Sequence, residues 1–237
     1  MRINNYISST GYCSRREADQ LILQQRVQVN GEPATIGQQV SEGDRVEIDG
    51  VLIQPQTQLV YLVLNKPLGI ICTTDQQIKN NIVDYVNHPQ RIFPIGRLDK
   101  DSQGLILLTN DGSVVNKILD EKNNVEKEYL VKVDKELTKD FIQQMQQGVE
   151  IYNPVKNQHQ KTKPTSVKAI DAKTFQLTLT QGLNRQIRRM TKQLGYQVTH
   201  LKRIRLKNIK LKTLGYGKWR HLSAQEIEEL LNGLESY

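Results

Sequence analysis

The sequence concentrates reactive side chains in Pro94-Ile95-Gly96-Arg97-Leu98-Asp99-Lys100-Asp101-Ser102-Gln103-Gly104-Leu105, a polar, glycine-bracketed loop that runs into an apolar strand. Loops of this kind, held by a rigid sheet, are where functional side chains gather. A carboxylate such as Asp99 can act as a nucleophile or stabilise developing charge. The ordinary alternative is that Asp99 caps a turn and Arg97 pairs with a neighbouring acid. Ser102 is a poor nucleophile candidate, because Asp101-Ser102-Gln103-Gly104 lacks the first glycine of G-x-S-x-G and no histidine is placed to serve as base.

The second concentration is one of charge. The chain carries 33 Lys+Arg against 25 Asp+Glu, a formal net charge of +8. From Gln181 to Arg220 there are 12 Lys+Arg and no Asp or Glu, with Arg185, Arg188 and Arg189 close enough to share one helix. A merely solvated face would mix signs, so this stretch is suited to phosphate and the expected partner is a polyanion.

Other chemistries find little support. The 2 cysteines, Cys13 and Cys72, give no disulfide scaffold, and the 4 histidines stand apart without the close pairing of zinc ligands. Neither G-x-G-x-x-G nor G-x-x-x-x-G-K-[ST] occurs, so no metal and no cofactor are expected. There is no run of 18 apolar residues and no apolar leader after Met1-Arg2-Ile3-Asn4-Asn5. A cytoplasmic monomer with no membrane contact is the expectation.

The elements that must position these residues fall into two groups. Residues 1–50 read as a compact unit: a short helix around Tyr6-Ile7-Ser8 broken by Gly11, then a capping box in Ser14-Arg15-Arg16-Glu17 opening a helix buried through Ala18, Leu21 and Ile22. A strand at 26–29 ends in the hairpin pair Asn30-Gly31, and a turn at Glu42-Gly43-Asp44 precedes another strand at 45–48. Residues 51–58, with the aperiodic, polar Gln54-Pro55-Gln56-Thr57-Gln58, read as an interdomain linker. Residues 59–237 suit one α+β domain with a mixed, largely antiparallel sheet. Its strands are expected at 59–64, 105–109, 129–133, 174–180, 197–204 and 209–211, and its helices at 138–147, 185–194 and 224–231.

Residues 2–49, through Ile3-Asn4-Asn5-Tyr6-Ile7, Cys13-Ser14-Arg15-Arg16-Glu17-Ala18, Val27-Gln28-Val29-Asn30-Gly31 and Gly43-Asp44-Arg45-Val46, resemble an S4 RNA-binding domain. That resemblance implies RNA contact by its helix pair and gives RNA-binding roles to Arg2, Ser14, Arg15 and Arg16. Behind it, Gly96-Arg97-Leu98-Asp99 with Ser102, Gly104 and Leu105 resembles the catalytic motif of pseudouridine synthases. Leu64-Asn65-Lys66-Pro67-Leu68-Gly69 is similar to that family's first motif, Lys127-Glu128-Tyr129-Leu130 to its tyrosine motif, and Gly182 to Met190 to its last. Four motifs stand in the family's order. With an S4 unit in front, the arrangement resembles the RsuA/RluB/RluE/RluF branch, which isomerises uridine in ribosomal RNA, and implies a large-subunit (23S) ribosomal RNA substrate. The chain ends at Tyr237 without the long basic tail some such members carry, which bears on substrate choice.

The resemblance implies isomerisation of a uridine in an RNA stem-loop to pseudouridine. Asp99 is then nucleophile or charge stabiliser, Tyr129 stacks on the uracil and can handle the proton of carbon five, and Arg188 pairs with Asp99 to keep it ionised. Arg97 fills the gap left by the flipped nucleotide and Ile187 packs beside the base. Lys66, Arg185 and Arg189 are also expected to bind substrate, the two arginines through phosphate. Two other readings remain open: a binding-only S4 protein or ribosome assembly factor, and a synthase that acts also or instead on a transfer RNA anticodon loop.

Overall fold

The computed structural model describes residues 1–56 and 58–235, so Thr57 of the expected linker and the last two residues of the expected catalytic domain lie outside the described residues. The chain divides into two compact units, one of Met1–Val60 with His88–Ile92 and Thr109–Gly112, the other of Tyr61–Asn87, Phe93–Leu108 and Ser113–Tyr237.

In the first unit, α1 (Ile3–Ser9) and α2 (Arg15–Leu23) precede β1 (Val27–Val29), β2 (Glu32–Pro33), β3 (Val46–Ile48) and β4 (Val51–Leu52). The four strands form one sheet in the order β2-β1-β3-β4. Ser14 accepts from the Glu17 amide at 3.2 Å while the Glu17 carboxylate accepts from the Ser14 amide at 2.7 Å, which fixes where α2 begins. Asn30 and Gly31 take φ of 54° and 86°, the mirror-image turn that lets Val29 pair with Glu32. Ile3, Ile7, Ala18, Ile22, Val27, Val46 and Ile48 are buried together between helices and sheet.

Residues 51–56 differ from a free linker. β4 extends the sheet and Ile53 is buried. The Asn110 amide donates to Gln56 Oε1 at 2.7 Å, the Gln58 carbonyl at 3.0 Å and Gln90 Oε1 at 3.1 Å. A polar composition looked like a tether, but these side chains are consumed in mutual hydrogen bonds within the unit.

The second unit contains β5 (Tyr61–Lys66), α3 (Ile82–Val86), β6 (Phe93–Ile95), β7 (Gln103–Thr109), α4 (Ser113–Leu119), β8 (Lys127–Val133), α5 (Lys139–Gln147), β9 (Glu150–Asn153), β10 (Gln158–Lys161), β11 (Ser166–Ala169), β12 (Thr174–Leu179), α6 (Gln186–Gln193), β13 (Val198–Leu206), β14 (Ile209–Lys210), β15 (Trp219–His221) and α7 (Ala224–Leu231). The main sheet runs β11-β12-β8-β13-β7-β5-β15, with β6 beside β7 and β14 beside β13, while β9 and β10 make a separate ribbon. β13 and β7 are parallel; the β11–β12, β12–β8, β8–β13, β13–β14 and β5–β15 pairs are antiparallel. The class is therefore α+β with a mixed, largely antiparallel sheet.

The alternating apolar residues of β8 and β12 account for their one-sided burial, with Lys127, Tyr129, Val131 and Val133 inward on β8 and Phe175, Leu177 and Leu179 on β12. Phe141 of α5 meets Phe175 edge-on at 5.4 Å between ring centroids. On the other side of the unit, Tyr61, Val63, Leu105, Leu107, Val114, Ile118, Leu206 and Leu230 form the core beneath α4 and α7.

Candidate active site

Within the second unit, one cleft of about 490 Å³ is lined by the 95–99 loop, β8, the segment 181–185, the start of α6 and β13. That is the size of a pocket for a small organic group. Asp99, Tyr129, Ile187 and Arg188 all line it, together with Arg97 and Arg185.

The Asp99 loop is held on every side. The Leu98 amide donates to Cys72 Sγ at 3.4 Å, the Ser102 amide to the Asp99 carbonyl at 3.0 Å and the Gly69 amide to the Lys100 carbonyl at 2.9 Å, while Arg188 Nη2 donates to the Asp101 carbonyl at 2.7 Å. Gly104 ends the loop with φ of +103°, and a Cβ there would lie 2.2 Å from the Arg203 carbonyl oxygen. The glycine thus permits β7 to run beside β13, where Gly104 and Arg203 are register partners. Ser102 is 1% exposed, which agrees with setting it aside as a nucleophile.

The arginine pairing differs from the expectation. Arg188 is not the ion-pair partner of Asp99; its Nε lies 3.5 Å from Asp101 Oδ2. Arg185 reaches Asp99 instead, Nη1 to Oδ2 at 3.6 Å, while gripping Asp101 through two hydrogen bonds of 3.1 and 2.9 Å. The physical reason is local: Arg185 caps α6 in the left-handed conformation (φ 48°), and this aims its guanidinium at both carboxylates. A non-glycine residue in that region is strained, a feature that collects at functional sites. The Arg185 bonds, with the field of Arg188, hold the Asp101 carboxyl below the usual range. Arg188 Nε is enclosed and lacks a hydrogen bond of acceptable geometry.

Tyr129 is buried on β8, opposite Leu177 on one side and Arg203 on the other. Ile187, on the first turn of α6, is 5% exposed and faces the same cavity. Arg97 is exposed at the cleft edge, and no ion pair engages it among the described residues, so the ordinary salt bridge is absent.

Two expected substrate contacts fall elsewhere. Lys66 is fully buried and does not line the cleft; its ammonium donates to the Pro67 and Ile70 carbonyls at 3.0 and 2.8 Å. Burial lowers its pKa, and it stands behind the Asp99 loop as a structural tie. Arg189 also faces away: it donates to the Asn184 and Tyr152 carbonyls and to Asn184 Oδ1, fastening α6 to β9. In the first unit Arg2, Arg15 and Arg16 are exposed, and the Ser14 side chain is committed to its helix cap.

Lys127 and Arg203 are cleft residues that the sequence reading did not assign. Lys127 is pushed down to about 8, chiefly by burial and then by Arg203. The signal for Lys127 was available: it stands two residues before Tyr129 on an alternating strand and shares its face. Arg203 had none, since only strand register brings it opposite Tyr129.

The cleft thus brings a carboxylate, Asp99, into one lining with Arg97, Arg185, Arg188 and the aromatic side chain of Tyr129. Comparison with known proteins gives the class. An RNA pseudouridylate synthase family model matches residues 60–193 and an S4 domain model residues 1–46. The chain is 51% identical over 238 residues to the dual-specificity RNA pseudouridine synthase RluF of Escherichia coli (strain K12), covering 100% of this chain and 80% of that protein. It is 36% identical to ribosomal large subunit pseudouridine synthase B of Bacillus subtilis (strain 168), covering 97% and 95%. A crystal structure of a pseudouridylate synthase superposes with a TM-score of 0.70 at 28% identity, covering 97% and 99%. The chain belongs to the RNA pseudouridylate synthase family and is an S4-domain pseudouridine synthase. No helix among the described residues is long and apolar enough to cross a membrane.

Proposed function

We propose that this enzyme isomerises a specific uridine in a stem-loop of large-subunit ribosomal RNA, working as a cytoplasmic monomer. The observation that carries the reading is that Asp99, Tyr129, Ile187 and Arg188 line one cleft. The reaction breaks the bond between the sugar and uracil nitrogen one, turns the ring, joins carbon five to the sugar and releases the hydrogen of carbon five. Asp99 attacks or stabilises the sugar carbon, and Tyr129 supplies a flat face for the detached ring. Arg185 pairs with Asp99, and Arg188, anchored on Asp101, holds the loop in place. Arg97, free at the cleft edge, occupies the gap left by the flipped nucleotide. The exposed Arg2, Arg15 and Arg16 anchor the stem through phosphates, while Ser14 positions the helix end that presents Arg15 and Arg16.

The word dual-specificity in the name of the Escherichia coli relative supports action on a second RNA, for which a transfer RNA anticodon loop is the candidate. Ribosomal and transfer RNA labelled with tritium at uracil carbon five are each incubated with the protein. Release of tritium to water from ribosomal RNA is expected. Tight RNA binding without release from either substrate would leave only a binding-protein role.

A further inference from the structure

The roles proposed above leave two cations of the cleft without a task. Lys127 and Arg203 are 8% and 4% exposed and line the same cavity as Asp99 and Tyr129. Lys127 shares the inward face of β8 with Tyr129, and Arg203 is the cross-strand neighbour of Tyr129 on β13. A register shift between Arg203 and Arg205 changes the alternation of β13, so that Leu201, Arg203 and Leu206 all reach the cleft wall.

Their polar atoms are only partly satisfied. Arg203 Nε donates to the Leu105 carbonyl at 2.6 Å, but Nη2 is enclosed and has no hydrogen-bond partner among the described residues. Lys127 donates to the Val125 and Thr180 carbonyls at 3.0 and 3.2 Å, which leaves its third N–H unused. Neither side chain belongs to any of the ion pairs among the described residues. The charged groups acting on Lys127 are Arg203 on β13 and Glu121 before β8, while Asp99, Arg185 and Arg188 line the same cleft. Two adjacent buried cations that form no ion pair are costly, and an unpartnered buried donor is uncommon in native proteins.

We propose that the Arg203 guanidinium and the Lys127 ammonium form the subsite for a carbonyl oxygen of the uracil ring, and hold the negative charge the ring carries while detached. This rests on the synthase reading above. When the sugar–nitrogen bond breaks, both electrons leave with the base, and the charge spreads over the ring nitrogen and the two carbonyl oxygens. Carbon five then uses that electron pair to bond the sugar; its proton goes to water and nitrogen one takes a proton. Donors fixed on the oxygen stabilise the anion more than the neutral ring, so their effect falls on the rate of bond breaking rather than on RNA affinity.

The test uses the full chain, tritiated ribosomal RNA and enzyme in excess, with RNA affinity and thermal melting measured in parallel. Arg203→Met and Lys127→Met should each slow release by about 100-fold or more, with RNA affinity within about threefold of wild type. The wild-type rate should fall above pH of about 8 as Lys127 loses its proton. Lys127→Arg should recover most of the rate lost in Lys127→Met and shift that fall to higher pH. Wild-type release from folded Arg203→Met or Lys127→Met overturns the subsite alone, as does a Lys127→Arg variant as slow as Lys127→Met. If Arg203→Met does not melt cooperatively, the two lysine variants decide. No release by wild type overturns the synthase reading and the subsite together.

Discussion

Replacing Gly104 with alanine perturbs the sheet and the site at one point. The added methyl would lie 2.2 Å from the Arg203 carbonyl oxygen and 2.8 Å from its nitrogen, both backbone atoms that cannot swing aside, and the residue keeps φ of +103°. Strained backbone of this kind costs roughly 1–3 kcal/mol and overpacking roughly another 1–3. The sum is about 2–6 kcal/mol, and in a unit of this size each kcal/mol moves Tm by roughly 2–4 °C. A fall in Tm on the order of 5–20 °C is therefore expected by calorimetry. Separating β7 from β13 also shifts Arg203 relative to the Asp99 loop, so tritium release should drop even in protein that remains folded at the assay temperature. Gly182→Ala is the control, because no heavy atom lies within 4 Å of its added carbon; its stability should change by less than about 1 kcal/mol. A Gly104→Ala protein that melts within about 2 °C of wild type would refute the reasoning.

Lys66→Met removes the donor to two carbonyls and should lower stability by about 1–3 kcal/mol while leaving RNA affinity unchanged; a selective loss of affinity would return Lys66 to the substrate site. Arg15→Ala and Arg16→Ala should leave Tm nearly unmoved, and each should reduce the salt dependence of RNA binding by the equivalent of about one phosphate contact in a filter-binding titration. The hydrogen bonds from Arg220, and then from the Ser223 amide, hold the Glu226 carboxyl down to about 2. Its contribution, on the order of 1–2 kcal/mol after solvent screening, is complete above the ordinary value near 4.5 and is lost as pH falls toward about 2. The stability gap between wild type and Glu226→Gln should shrink over that interval in urea titrations.

Local rules carried the sequence reading furthest. The capping boxes at Ser14 and Ser223, the Asn30-Gly31 hairpin, and the Thr138 and Gly148 limits of α5 are each written in residues that neighbour one another. The strands β9, β10 and β15 were not anticipated, because Glu150–Asn153, Gln158–Lys161 and Trp219–His221 are short and mostly polar, and β10 and β15 bury no residue. Segments 88–92 and 109–112 join the first unit although they lie far from it in sequence, and only tertiary packing can show that.

The site was legible to the degree that its chemistry resides in motifs. Asp99, Tyr129, Ile187 and Arg188 come to one cleft, but the motif order does not encode which arginine meets which carboxylate. The left-handed turn at Arg185 decides that, and an arginine is an unexpected residue at such an angle. Lys66 looked functional because it stands in the first family motif; its burial is satisfied by the carbonyls of Pro67 and Ile70. Arg203 became visible only through strand register and the bulge beside it.

The central claim is that Asp99 does chemistry on a uridine held in this cleft, and that binding the RNA is a separate matter. Single-turnover tritium release and RNA affinity, measured together for wild type and Asp99→Asn, test it most directly. The expected result is release by wild type, none detectable from the variant, and affinities within a few-fold of each other. Release persisting in Asp99→Asn, or activity and affinity lost in equal proportion, would contradict it.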